Sequence, residues 1–142
     1  MCLVTEQLEP IILEEDKIAY KTVKVMHSPT PDEYVKSVCQ GFSYKLGKLY
    51  SAVIAHEPES EKVYVRYYSL EQEIYYERTP PKTLVTISTG FHGFINLETA
   101  EYYLEEGREV IVECTYPKGS EYYEDATGLC VSNQIIISKI IK

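Results

Sequence analysis

The sequence predicts an α+β fold: one β-rich domain, residues 1–142, of six to eight strands with one clear helix. Three observations predict it. Short apolar stretches recur along the chain, several with the two-residue alternation of a half-buried strand, and Gly, Pro or polar clusters separate them. One segment, 97–106, carries its apolar residues at helical spacing. The length of 142 residues and a hydrophobic content of 44% suit a single packed core.

Taken in order, residues 1–16 are acidic, contain Pro10 and read as an irregular lead-in. KIAYKTVKVM, 17–26, alternates as a strand, and HSPTPDE, 27–33, is a loop broken by Pro29 and Pro31. YVKSV, 34–38, suits a short edge strand. Gly41 and Gly47 bracket Tyr44 with turns, and LYSAVI, 49–54, follows as a strand. Residues 55–81 read as an insertion on a simpler core. Within it Val63, Val65 and Tyr67 alternate like a strand, while Leu70 and Ile74 fit a helical turn. KTLVTIS, 82–88, is a strand. Gly90 and Gly93 then allow backbone angles or close approaches that a side chain would forbid, as in a tight turn feeding a helix. Asn96 is placed to cap a helix from Leu97 to Glu106 whose Leu97, Ala100, Tyr103 and Leu104 share a face, and Gly107 is placed to end it. EVIVECTYP, 109–117, is a strong strand, 118–128 a loop with a strand-like centre, and 129–142 one or two strands.

Composition narrows the function. Fourteen basic against 22 acidic side chains leave a formal charge of −8, which repels nucleic-acid backbones and argues against long DNA or RNA as the ligand. No apolar run approaches the length of a membrane span, and the start of the chain lacks the basic and apolar regions of a signal peptide, so the expected setting is the cytoplasm, with no membrane partner. Cys2, Cys39, Cys114 and Cys130 stand singly, without metal-ligand spacing, and read as reduced small core residues; neither a metal nor a cofactor is expected. Tyrosine is abundant, 14 residues with four Tyr-Tyr pairs and no Trp. In a strand such pairs place one ring inside and one outside, and an outer ring offers a stacking face and a hydroxyl. Plain strand propensity accounts for the same pairs.

QGFSYKLGKLY, followed by GFHGFINLETAEYY and a tail with the Ser-led strand at Val131-Ser132, resembles a group of small uncharacterised domains of bacteriophages that share a GF-x-Y-x-x-G-x-x-Y block and a GFH block before a helix. With Tyr20-Lys21 upstream, the matched blocks cover about half of the chain. The resemblance implies a phage protein acting in an infected bacterial cell, and no particular reaction. The order of blocks is also similar to the ADP-ribosyltransferase core, with Tyr20-Lys21 at the first motif and STGFHGF at the second. At the third, GLCVSNQIII offers no Glu near Ser132, so that likeness implies a binder of ADP-ribose-like nucleotides in preference to a transferase.

The residues themselves nominate a ligand site. Gly90 and Gly93 can present backbone N–H groups to a phosphate ahead of a helix, and His92, between Phe91 and Phe94, can bond a phosphate or equally fix the turn. Arg66 beside Tyr67 suits a phosphate or base clamp, or a surface Arg covering apolar strand. Lys118 and Ser120 sit at a Pro-Lys-Gly turn, which can touch a phosphate or be a turn only. The expected pocket has Gly90–Phe94 on one wall and Arg66 or the 118–123 loop across from it. No catalytic residue is nominated, because no nucleophile–base pair or phosphate-loop fingerprint is present. The leading expectation is a counter-defence protein that sequesters a small nucleotide immune signal without cleaving it, with assembly as a homo-oligomer compatible. A nucleotide-cleaving or ADP-ribosyltransferase-like enzyme, and an acidic inhibitor of a host defence protein, remain open beside it.

Overall fold

The computed structural model describes residues 3–25, 34–37, 42–55, 60–62, 65–70, 73–78 and 82–141; for 34, 60–62, 65–70, 73–78, 82 and 83 it describes the backbone only. The strands are β1 (Leu3–Thr5), β2 (Ile11–Ile12), β3 (Lys17–Val25), β4 (Tyr34–Ser37), β5 (Ser43–Lys45), β6 (Leu49–Ser51), β7 (Ser60–Lys62), β8 (Val65–Leu70), β9 (Glu73–Arg78), β10 (Lys82–Ile87) and β11 (Phe91–Phe94). Helix α1 (Leu97–Tyr103) follows, and then β12 (Val110–Tyr116), β13 (Glu121–Glu124), β14 (Leu129–Ser132) and β15 (Gln134–Ile140). The fold is β-rich, with one helix among the described residues. It has more strands than the six to eight expected, because several have only two to four residues and carry no readable alternation, so α+β fits in outline.

The main sheet is antiparallel and ten-stranded, in the order β2-β13-β14-β11-β3-β12-β15-β6, with β4 and β5 branching from β3. β1, β10 and β7 form a second sheet, and β8 pairs with β9 as a hairpin. The ambiguous stretch at 63–78 is therefore strand where it is described, with Val65 opposite Arg78 and Leu70 opposite Glu73.

Alternation assigns the two faces of the main sheet. Ala19, Val23, Phe91, Val112, Cys114, Tyr116, Cys130 and Ile135 share one face and pack under Val35 and Tyr44 of the β4–β5 branch. On the other face Tyr123 and Val131 meet Leu3, Val85 and Ile87 of the second sheet. Phe94 and Ile111, on that same face, are covered by Ala100, Leu97 and Leu104.

One expectation around α1 is narrowed and one corrected. Within the Gly90–Phe94 segment the bend is confined to Gly90, at φ +90°; Phe91–Phe94 is a strand buried along its whole length, paired with β14 from Phe91–Ser132 to Phe94–Leu129. The helix is also shorter. Asn96 holds the N-cap position with extended backbone, but its side chain makes no cap bond, and the helix ends at Tyr103 with Leu104 already extended. Glu101, Glu105 and Glu106 gather at and just beyond the negative end of the helix dipole, the last helical turn holds no basic residue, and Leu104 turns into the core. Gly107, at φ +83°, belongs to the separate turn that Arg108 N–H closes on Glu105 O.

Gly93 has a packing cause. A β-carbon there would lie 2.8 Å from the Tyr116 hydroxyl and 3.0 Å from the Tyr20 carbonyl oxygen. Tyr116 reaches from β12 over β3 to β11, where its hydroxyl donates to Phe91 O at 2.9 Å. β11 meets β3 at one ladder pair, Phe94 with Tyr20. Where the two strands part, the His92 carbonyl, which faces β3, is met by the Lys21 side chain, Nζ to O at 2.6 Å.

The edge of β13 is treated in the same way. β2 pairs with Glu121 and Tyr122. Beyond it the Gln7 amide donates to Tyr122 O at 2.8 Å and accepts from Glu124 N–H at 3.2 Å, as a neighbouring strand would. Thr5 Oγ1 donates to Glu124 O at 2.7 Å. An open edge is closed by side chains.

Gly93→Ala is expected to destabilise the fold by about 1–3 kcal/mol through overpacking against Tyr116. Tyr116→Phe is expected to cost about 0.5–1.5 kcal/mol, the net value of one hydrogen bond, because the Phe91 carbonyl keeps its ladder partner across β14. Because removing the hydroxyl also makes room for a methyl, denaturant melts of the double variant should show a loss clearly smaller than the sum. Strict additivity would mean that the two groups do not share this space.

Candidate anion-binding surface

The nominated residues separate. Phe91, His92 and Phe94 are buried in the centre of the main sheet, and Gly90 and Gly93 are buried beside them. His92 lies on the face covered by the second sheet, with Nε2 3.1 Å from Ile87 O. Burial lowers its pKa from 6.5; the Ile87 carbonyl opposes the shift and the Lys21 charge adds to it. The imidazole is thus a neutral group that ties β11 to β10. Lys118 and Ser120 stand two strands away, in the turn before β13. The Lys118 N–H donates to Asp16 Oδ1 at 2.8 Å. Ser120 is fully buried, and its hydroxyl lies 2.6 Å from Pro117 O and 3.1 Å from Gln134 Oε1. Arg66 and Tyr67 lie in β8, opposite Glu77 and Tyr76; their side chains fall outside the described residues.

The buried polar groups between the layers are held protonated. Burial raises the Cys114 thiol to about 12 and the Cys130 thiol to about 11, and it raises the Tyr116 and Tyr122 phenols. Such thiols are poor nucleophiles at neutral pH. Among the described residues no group of three His, Cys, Asp or Glu side chains is placed to hold a metal ion. No helix among them is long and apolar enough to cross a membrane.

A groove of about 680 Å³ opens between the end of β1 and the β13–β14 turn, with Val4, Leu84 and Ala126 beside the carboxylates of Glu6, Glu124 and Asp125. Asp125 Oδ1 accepts from Thr127 N–H, Thr127 Oγ1 and Leu129 N–H, and Glu124 Oε2 accepts from the Tyr122 hydroxyl. None of the seven nominated residues whose side chains are described lines this groove. Its charge disfavours a phosphate.

Positive charge collects elsewhere. Residues 17–55 carry six lysines, at 17, 21, 24, 36, 45 and 48, and two carboxylates, Asp32 and Glu33. β3, β4 and β5 bring four of these lysines near one another. Lys24 stands directly opposite Lys36, and Lys36 directly opposite Ser43. Lys45 follows Ser43 on the same exposed face of β5, and Lys48 lies in the adjoining turn. Like charges directly opposite on neighbouring strands cost roughly 0.2–1 kcal/mol. Lys24, Lys36, Lys45 and Lys48 form no ion pair with another described residue; Arg108–Glu105 and Lys139–Glu113 pair elsewhere.

The platform beneath is aromatic. Phe42, Tyr44 and Tyr50 meet Phe91 of β11, with ring centroids from 4.9 to 6.1 Å apart. The Tyr50 hydroxyl accepts from Lys45 N–H at 2.7 Å, and Lys48 Nζ lies 5.3 Å from the Tyr50 ring centre. Burial raises the Tyr44 phenol, which stays neutral. The two sequence blocks, Phe42-x-Tyr44 with Tyr50 and Phe91-His92, therefore meet in one cluster. The lysine face was missed in the sequence because the overall acidity hides it; the readable signal was six lysines against two carboxylates over 17–55.

These features define an antiparallel β-sheet protein with a basic face on the β4–β5 branch and an acidic margin at β2. No family model matches the chain, and neither a curated protein nor a solved structure shows significant similarity to it.

Stability should fall at both ends of the pH range. The fold holds His92 neutral, so that contribution is present above pH 6.5 and is lost as pH falls below it. The fold holds Cys114 and Cys130 protonated, so theirs is present below the ordinary 9.0 and is lost as pH rises through about 11 and about 12. Melting temperatures against pH check both limbs. His92→Gln, whose amide can still reach the Ile87 carbonyl, should flatten the acid limb and leave the alkaline one; an unchanged acid limb would remove His92 as its source.

Proposed function

We propose that the chain is a non-enzymatic binding protein that captures a small phosphate-bearing ligand, a nucleotide, on the lysine face of β3, β4 and β5. The observation that carries this reading is the opposed Lys24–Lys36 pair extended by Ser43 and Lys45. A bound phosphate relieves the repulsion that the empty face pays, so binding is favoured by the lysine contacts and by the strain they release. The rings of Phe42, Tyr44 and Tyr50 pack on the opposite face of the same strands, so the lysines and Ser43 carry the binding and the aromatic platform holds their strands in place. The raised thiols and the neutral, buried His92 favour capture over turnover. In the phage setting that the sequence blocks imply, the role is counter-defence by sequestration of a host nucleotide signal.

Calorimetry with ADP-ribose derivatives and cyclic dinucleotides, followed by heating and analysis of the released ligand, tests this reading. The expected result is nanomolar binding, about −12 kcal/mol, with intact ligand returned. Lys36→Glu should weaken it by roughly tenfold or more, about 1.4 kcal/mol, without lowering the melting temperature. Altered ligand on release would make the protein an enzyme. Affinity untouched by Lys36→Glu and Lys24→Glu would remove the lysine face. No nucleotide binding, together with a stable complex with a host protein, would favour the inhibitor role.

A further inference from the structure

A second surface lies apart from the lysine face, on β2. β2 ends the order of the main sheet, with β13 as its ladder partner. The next residue, Leu13, turns both backbone groups toward β13: its N–H donates to Ser120 O at 3.0 Å and its O accepts from Gly119 N–H at 2.8 Å. In an antiparallel strand consecutive residues alternate in this respect, so the N–H and C=O of Ile12 face outward, along the free margin of the sheet. Pro10, the other outward position, is a residue that edges tolerate because its missing N–H leaves no ladder bond unmade. Farther along β13 the edge is closed by the side chains of Gln7 and Thr5; among the described residues no strand pairs with the outer margin of β2.

What flanks this margin selects its occupant. Leu8, Ile11 and Ile12 are 41%, 52% and 55% exposed. Residues 3–16 contain five carboxylates, Glu6, Glu9, Glu14, Glu15 and Asp16, and no Lys or Arg. Native edges are commonly guarded by lysine or by bulges; this one carries apolar side chains within an acidic border. Two copies of the chain meeting here would bring like charges together, so self-pairing is disfavoured. A strand with basic side chains is attracted to the same border.

We propose that β2 is a docking strand that takes an extended segment of a partner protein in which apolar residues alternate with Lys or Arg. The segment adds to the sheet by backbone pairing with Ile12, lays its apolar side chains on Ile11 or Ile12, and sets its cations against Glu9, Glu14 and Glu15. The proposal is independent of nucleotide capture and uses none of the lysine-face residues.

The probes are a short peptide alternating Val and Lys, the same peptide N-methylated on the amides of one edge, its isomer N-methylated on the other, and a Val–Glu analogue. They are titrated into the isotope-labelled full chain and followed by NMR and calorimetry. The Val–Lys peptide should bind and shift the amides of Ile11–Leu13. One of the two N-methylated isomers, and the Val–Glu peptide, should bind roughly tenfold or more weakly. Ile12→Pro, which removes the outward N–H without touching the β13 pairing, should cost a similar factor at unchanged melting temperature. If that variant melts early, Ile12→Lys serves, since Ile12 is exposed, and it should repel the peptide. Equal binding by both N-methylated isomers, equal binding of the Val–Glu peptide, binding that survives both variants, or no binding of the Val–Lys peptide would each overturn the docking strand. Nucleotide titrations of the same variants report on the lysine face separately, so either reading can fail alone.

Discussion

The Tyr116 hydroxyl bonded to the Phe91 carbonyl, in space that a β-carbon at residue 93 would fill, is the contact on which the arrangement of the main sheet depends. β3 and β11 share one ladder pair, so a sheet relying on backbone bonds alone would be weak at its centre. Tyr116 bridges the gap from the third strand over, and Lys21 bridges it from β3 itself. They act at opposite edges of β11, Tyr116 on the Phe91 carbonyl that faces β14 and Lys21 on the His92 carbonyl that faces β3. Because β11 is thereby fixed, its other face presents His92 and Phe94 to the second sheet and to α1, and its first residue, Phe91, anchors the aromatic platform under the β4–β5 branch. A small residue in the middle of a central strand joins all three layers.

How much of this was legible follows from the kind of signal each feature leaves. The strands β3, β12 and β15 are long enough to alternate, and they stood out in the sequence. So did the start of α1 at Leu97, because its apolar face is periodic from there. The end of α1 did not: Gly107 is a left-handed residue as expected, but it serves the next turn, and the acidic end of the helix outweighs the Gly signal. The GFHGF segment was legible only in part, for a related reason. The glycines signalled a special angle or a close approach, which Gly90 and Gly93 respectively show, but only the long reach of Tyr116, 23 positions beyond Gly93, reveals what approaches. Nothing local in the sequence encodes a side chain arriving from another strand.

The lysine face was illegible for a different reason. Strand pairing, not chain proximity, puts Lys24 opposite Lys36 and Lys36 opposite Ser43. A formal charge of −8 averages this away. Charge in this chain is segregated: carboxylates dominate 3–16 and lysines dominate 17–55, and β3 carries the chain from one region to the other. The resulting field is that of a dipole with a negative total, which attracts an anion at short range on one side while keeping polyanions away from the rest.

The use of Gln7 as a substitute strand residue has a chemical consequence. A backbone amide is permanent on the scale of a protein's lifetime, but a side-chain amide can hydrolyse. Conversion of Gln7 to Glu would replace the N–H donor that now sits 2.8 Å from Tyr122 O with a carboxylate oxygen, setting negative charge against a carbonyl beside Glu124. One slow covalent event would thus unseal a stretch of β13 that folding had closed, giving the molecule an ageing clock written in its edge chemistry.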